Sequence, residues 1–224
     1  AITTLGPGFR YAPHWSPDST RIAFVDQDSR LRIISVGNGM ITEIDKSPFW
    51  VGHGGLENFV LRWSADSRWL TWSRAADTTG NRAIFLYDVT KGTKHQATSG
   101  YFADTNPVFD PDGKYLFFLS DRSFTPVYGD FDNSWTYPNA TLIVAAPLRA
   151  DVPSPLAPRN DAEEPAREEE KKAAQEPAQK PEEKKDDAKD DAKKDEPKKP
   201  APVEIDVPGL ESRVVILPPK PGNY

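Results

Sequence analysis

Three aspartates recur at spacings of about 46 to 48 residues, and a repeated set of carboxylates could carry out acid–base chemistry or bind a cation. Each of them stands in a short polar turn between two apolar runs. Asp in such turns accepts hydrogen bonds from nearby backbone N–H groups. We therefore expect these side chains to cap turns and not to act in catalysis: Asp18 in WSPDS (15–19), Asp66 in WSADS (63–67) and Asp112 in FDPDG (109–113).

The three histidines form no pair at metal-ligand spacing, and the chain has no cysteine. We expect a structural role for His14 in a strand, a solvated loop position for His53, and an exposed position for His95. No G-x-S-x-G nucleophile elbow and no phosphate-binding loop occurs. The sequence therefore predicts no catalytic residue, no metal and no cofactor in this chain.

Aromatic residues are the best candidates for binding, because an aromatic-lined mouth could grip peptide side chains. The segment 122–138 is rich in them. The alternative is that these rings pack against their own domain or a neighbouring one. The candidate binding residues are Phe49, Trp50, His53, Phe124, Tyr128, Phe131, Trp135 and Tyr137.

The elements that must position these residues are short strands. Apolar runs separated by polar turns divide the chain into units at 1–47, 59–98 and 101–217, each with four predicted strands. In the strand 83–89, apolar residues alternate on both faces, which predicts a sheet packed on two sides. Four-stranded antiparallel units at this period favour an all-β fold, a partial β-propeller of about three blades. A β-sandwich is the alternative.

Two insertions interrupt the third unit. One is the aromatic segment, and the other is almost entirely Lys, Glu, Asp, Ala, Gln and Pro, which predicts disorder. The fourth strand of this unit lies at 203–206 or at 213–217, and the sequence favours neither. We divide the chain into blades (1–156), a disordered insertion (157–202), and a final part (203–224) with the last strand or strands and the lead-in to another blade.

In an up-and-down blade, successive connections alternate between two ends. The Asp turns and the charged insertion then share one end. The aromatic segment, Phe49, Trp50 and His53 share the other. About three blades cannot close a ring, so we expect further blades outside this chain.

The bulk composition argues against two classes of partner. The net charge is −6 over 224 residues and no basic stripe is present, so nucleic acid is not expected. No apolar run approaches the roughly 20 residues that cross a bilayer.

The repeated turn resembles the TolB-type (PD40) propeller repeat W-S-P-D-G. The third unit is more specific. The order FLSDRSFTPVYGDFDNSW, LIVAAPLRADVPSPLAPRNDAEEP, a Lys/Glu/Pro-rich insertion and VEIDVPGLESRVVILPPKPGNY is similar to bacterial tricorn proteases. The resemblance identifies the chain with a non-catalytic, N-terminal propeller of that family.

This resemblance implies a serine peptidase parent that degrades oligopeptides, with this chain as scaffold and peptide-access filter. It also implies a hexamer and contacts with other domains of the parent. The expected location is cytoplasmic, with the periplasm as the alternative. Two other functions remain open: a TolB-like protein-binding scaffold, and the propeller of a prolyl oligopeptidase.

Overall fold

A computed structural model describes residues 3, 5–49, 51, 53–158 and 200–224, which form three four-stranded antiparallel sheets and a separate hairpin. The predicted all-β, partial propeller fold with about three blades is confirmed. Among these residues, no helix is long and apolar enough to cross a bilayer.

The first two blades are meanders whose strands follow chain order across the sheet. Blade 1 contains β1 (Arg10–Trp15), β2 (Arg21–Asp26), β3 (Arg30–Ser35) and β4 (Ile41–Lys46). A short helix α1 (His53–Glu57) follows it. Blade 2 contains β5 (Leu61–Trp63), β6 (Trp69–Ala75), β7 (Arg82–Asp88) and β8 (Thr93–Gln96).

Blade 3 is interrupted twice. It starts with β9 (Asp104–Phe109) and β10 (Tyr115–Ser120), and a hairpin of β11 (Val127–Gly129) and β12 (Ser134–Thr136) follows. The blade resumes with β13 (Leu142–Pro147) and ends with β14 (Val215–Ile216), which pairs with Val144 and Ala145. The fourth strand therefore comes from the second of the two predicted segments.

The first of those segments has a different role. Val203 is buried, and its carbonyl accepts a hydrogen bond from Trp69 Nε1 (2.9 Å) while its N–H donates to Asp66 Oδ2 (2.7 Å). A side chain on Gly113 would put its Cβ 2.7 Å from Val203 Cγ2. Val203 thus fills the space beside the blade 3 turn and ties that turn to blade 2.

The repeated turns are held largely as predicted. In the first two turns, the Asp side chain accepts a hydrogen bond from the backbone N–H two residues later, at 3.0 Å for Asp18 and 3.1 Å for Asp66. In the third turn, the carboxylate of Asp110 bonds to the N–H of Lys114 (3.3 Å). The capping role predicted for Asp112 belongs to Asp110, which stands where the other turns have serine.

Blade 2 is packed on both faces, as the alternation in β7 predicts. Ile84 and Leu86 lie in one buried cluster with residues of blade 3. Phe85 and Tyr87 lie in another cluster with residues of blade 1. Two of the buried clusters therefore form layers between neighbouring sheets, which is the stacking of propeller blades.

Contacts between turns confirm that the Asp turns lie at one end. The N–H of Asp18 donates to Ser67 Oγ at 2.9 Å, which joins the first turn to the second. Asp66 in that second turn accepts the N–H of Val203, the residue after the predicted charged insertion. Most of that insertion (159–199) lies outside the described residues, so its predicted disorder stays a prediction.

Candidate functional site

The aromatic segment folds as an antiparallel hairpin that pairs with none of the three sheets of the described residues. Tyr128 stands directly opposite Trp135, and their ring centroids are 5.1 Å apart. The rings of Phe124 and Tyr137 form a second pair at 5.5 Å. The structure therefore brings four of the predicted binding residues into two ring pairs.

All five aromatic side chains of this segment are open to solvent. Exposure runs from 45% for Tyr128 to full exposure for Phe131 at the tip. Aromatic rings normally bury most of their area in a core or an interface. A group of solvent-exposed rings therefore marks a surface suited to binding a partner that can pack against aromatic side chains.

Short-range polar contacts explain why the segment turns back on itself. Asp132 Oδ1 accepts hydrogen bonds from the N–H (3.2 Å) and the hydroxyl (2.7 Å) of Ser134. Asn133 adopts a left-handed conformation (φ 52°), and its Oδ1 accepts the Tyr128 hydroxyl at 2.7 Å. Since an isolated two-stranded hairpin is only marginally stable, these bonds and the Tyr128–Trp135 pair are what define it.

The start of the aromatic segment is fixed to the blade by an ion pair between the buried Asp104 and the partly buried Arg122. Arg122 Nη2 contacts Asp104 Oδ1 at 3.2 Å, and its Nε donates to Ser120 Oγ at 2.7 Å. Its guanidinium lies 4.7 Å from the centre of the Phe102 ring. The cation that begins the aromatic segment is therefore anchored to blade 3.

The other predicted binding residues are less well defined. Phe49 is half exposed, and its backbone bonds to the hydroxyl of Ser47. Trp50 lies outside the described residues, as does the side chain of His53, although the backbone of His53 begins α1. The shared location of these residues and the hairpin stays a prediction.

The remaining histidines have structural surroundings. The carbonyl of His14 accepts a hydrogen bond from Trp63 Nε1 at 3.2 Å, and burial, followed by the nearby Arg62 cation, lowers the pKa of His14. His95 is half-buried beside the Trp69 ring, where exposure was expected. In the described part of the chain, no three His, Cys, Asp or Glu side chains are grouped to hold a metal ion.

The sequence analysis missed the two carboxylates at the hairpin tip. Asp130 and Asp132 flank Phe131 and are both exposed. The signal was available, since residues 123–140 contain these two acids and no Lys, Arg or His. Hydrogen bonds from the Ser134 hydroxyl and N–H lower the pKa of Asp132 against the small effect of burial. The hairpin thus combines aromatic surface with negative charge, an arrangement that can bind a ligand.

Comparison with known proteins also identifies the chain as a β-propeller domain. Residues 1–224 match the family described as the tricorn protease second beta propeller domain. Tricorn protease homolog 1 of Streptomyces coelicolor is 33% identical over 157 residues, which are 69% of this chain and 14% of that protein. Putative tricorn protease homolog 2 of the same organism is 33% identical over 167 residues, 73% of this chain and 12% of that protein.

A solved structure agrees in fold. The crystal structure of the tricorn protease superposes with a TM-score of 0.68 at 19% identity, over 99% of this chain and 18% of that one. This chain therefore spans less than a fifth of the length of these proteins. The family match is to the second propeller, whereas the sequence analysis had named an N-terminal one. With its three stacked blades and this match over its whole length, the chain belongs to the second β-propeller domain of the tricorn protease family.

Proposed function

We propose that this chain is a scaffold and peptide-access filter within a larger serine peptidase that degrades oligopeptides. Its family membership supports a protease parent. The chemical step would take place outside this chain, and the propeller would decide which peptides approach. The resemblance also favours a hexameric, cytoplasmic parent, and we propose both.

The exposed aromatic hairpin is the observation that carries the filter role. Rings such as Trp135 and Tyr128 present large, rigid apolar surface at low entropic cost, and no sheet covers them within the described residues. A peptide that passes such a surface can lay its side chains on the rings without being held in one register. That is the requirement for a protein that admits peptides of many sequences.

The test uses the full-length parent and fluorogenic oligopeptides, with and without a serine-reactive inhibitor. We expect inhibitable cleavage. The double variant Tyr128→Ala/Trp135→Ala should reduce kcat/KM by about twofold to tenfold, since one aromatic pair, between this ring surface and a peptide ring, contributes about 0.5–1.5 kcal/mol beyond buried area. Tyr101→Ala is the control, because Tyr101 is also an exposed aromatic residue (77%) but lies outside the hairpin.

Two results would overturn the proposal. If a folded, assembled parent showed no inhibitable cleavage, the proposal that it is a serine peptidase would be wrong. If kcat/KM of the double variant equalled that of Tyr101→Ala, the proposed filter role of the hairpin would be wrong.

A further inference from the structure

We propose that the hairpin selects peptides that carry lysine or arginine. The inference rests on the proposed function, because it names the class of peptide that this site would take. It starts from one juxtaposition: four paired rings and a fifth at the tip share a short hairpin with two carboxylates and no basic residue.

The carboxylates are available to a ligand. Asp130 and Asp132 are exposed, and neither forms an ion pair within the described residues. Asp132 accepts both hydrogen bonds from Ser134 through Oδ1, so Oδ2 takes no part in that contact. Both acids lie within one residue of Phe131, so a bound side chain can reach a ring and a negative charge together.

The rings are available to a cation as well. Elsewhere in the chain, aromatic rings form intramolecular cation–π contacts. Arg74 lies 4.0 Å from the Phe85 ring centroid, and Arg122 lies 4.7 Å from the Phe102 ring centroid. The rings of Tyr128 and Trp135 have no such contact among the described residues. Trp and Tyr faces attract ammonium and guanidinium groups by about 0.5–1 kcal/mol at exposed sites.

A purely apolar partner fits this surface less well. Covering the tip with an apolar side chain would take two carboxylates out of water without giving them a partner, which is costly. A lysine or arginine side chain instead lays its methylene stem on a ring and its charge near a carboxylate. The mixed character of the hairpin therefore points to a cationic peptide.

The experiment measures binding in the full-length parent by photo-crosslinking. Two peptides of equal length carry the same benzophenone group and differ only in lysine or glutamine at one position. Trypsin releases the labelled segment 123–149, because Arg122 and Arg149 flank it with no Lys or Arg between them. We expect about fivefold more label from the lysine peptide, equivalent to about 1 kcal/mol at 1.4 kcal/mol per tenfold.

The matched variants remove charge and keep shape. Asp130→Asn/Asp132→Asn should bring the two peptides to equal labelling, and the Asn carbonyl at 132 can still accept the Ser134 bonds. Asp112→Asn, an exposed acid on the same blade but outside the hairpin, should keep the lysine preference.

The outcomes separate this inference from the proposed function. Equal labelling of the hairpin by both peptides in the unmodified parent would overturn the lysine and arginine preference and leave the filter role standing. Absence of label in 123–149 with either peptide would overturn the filter role itself.

Discussion

Two buried carboxylates lie at successive contacts between blades, and their surroundings differ. Asp45, in blade 1, reaches into blade 2, where its oxygens accept hydrogen bonds from Trp72 Nε1 (3.0 Å), Arg74 Nε (2.6 Å) and Nη2 (3.1 Å), and Lys94 Nζ (2.5 Å). Burial acts to raise the pKa of Asp45, but the bonds and charges of Arg74 and Lys94 outweigh it and hold that pKa below its usual range.

Asp104, in blade 3, is the opposite case. Its Oδ1 contacts Arg122 of the same blade at 3.2 Å, while Oδ2 has no hydrogen-bond partner within the described residues. Burial raises the pKa of Asp104, and the hydroxyls of Ser120 and Thr98 together with Arg122 offset this only in part. At the first contact, between blades 1 and 2, both carboxylate oxygens are therefore paired with cations. The second contact, between blades 2 and 3, depends on apolar packing and on Val203.

The largest effect we expect is at the complete network. Asp45→Asn leaves Arg74, whose side chain is 4% exposed, without its main counter-charge. Breaking a buried ion pair in this way costs about 3–5 kcal/mol. Native-state hydrogen exchange of the β6 and β7 amides in the full-length parent should show a loss of opening free energy of that size.

Glu43→Gln is the control, because Glu43 lies on the same strand but pairs with Arg30 at the surface. Exposed pairs contribute about 0–1 kcal/mol, so exchange should barely change. Equal effects of the two substitutions would show that the buried network is no stronger than a surface pair.

The next effect concerns the packing at the second contact. Gly113→Ala places a Cβ 2.7 Å from Val203 Cγ2 at a left-handed position (φ 69°). The backbone cost of about 1–2 kcal/mol and an overpacking cost of about 1–3 kcal/mol predict a loss of about 2–5 kcal/mol. Exchange of the β9 and β10 amides measures it.

Gly80→Ala separates the two costs, since Gly80 is also left-handed (φ 73°) but has nothing within 4 Å of its Cβ position. A second check is the double variant Gly113→Ala/Val203→Ala, which should lose less than the sum of its parts because the clash is gone. Additive losses, or a Gly113→Ala effect no larger than that of Gly80→Ala, would mean that Val203 is not the packing partner.

Local patterns were sufficient to predict most of the fold. The alternation in β7 and the repeated turns each depend on neighbours in sequence, which is why the strands, the two-sided packing and the shared end of the Asp turns could be read directly. The choice between 203–206 and 213–217 could not, because an alternating segment (203–206) and a segment with a continuous apolar run (213–217) are both compatible with a strand. Pairing with Val144 and Ala145 decides it, and that pairing is a tertiary fact.

The sequence predicted which residues make up the candidate site, but not the hairpin that they form. The aromatic residues of 122–138 pointed to a binding surface, but the hairpin depends on turn bonds of Asp132 and Asn133 that the sequence analysis did not consider. The network of Asp45 gave no signal at all, since its partners Arg74 and Lys94 lie 29 and 49 residues away. Only the stacking of blades brings them together.

The smallest effect we expect is at Asp104, and its sign is opposite to that at Asp45. Because the folded pKa of Asp104 is raised, the folded state binds a proton that the unfolded state releases, so stability falls as pH rises from the unfolded value of about 3.9 through the folded one. The lowered pKa of Asp45 gives stability that is present above about 3.9 and is lost only below it. As the pH falls from neutral towards the unfolded pKa of about 3.9, protonation of Asp104 should therefore stabilise the contact between blades 2 and 3. The Asp45 network should weaken only below that pH.

Asp104→Asn tests this, because the amide resembles the protonated acid. We expect a change of about 1 kcal/mol or less at neutral pH, the scale of one neutral hydrogen bond, and loss of the pH dependence of β9 exchange after correction for intrinsic rates. Asp45→Asn should leave that dependence in place. If Asp104→Asn instead weakened the second contact as much as Asp45→Asn weakens the first, the pair that Asp104 forms with Arg122 inside blade 3 would matter as much to its contact as the Asp45 network does to the first.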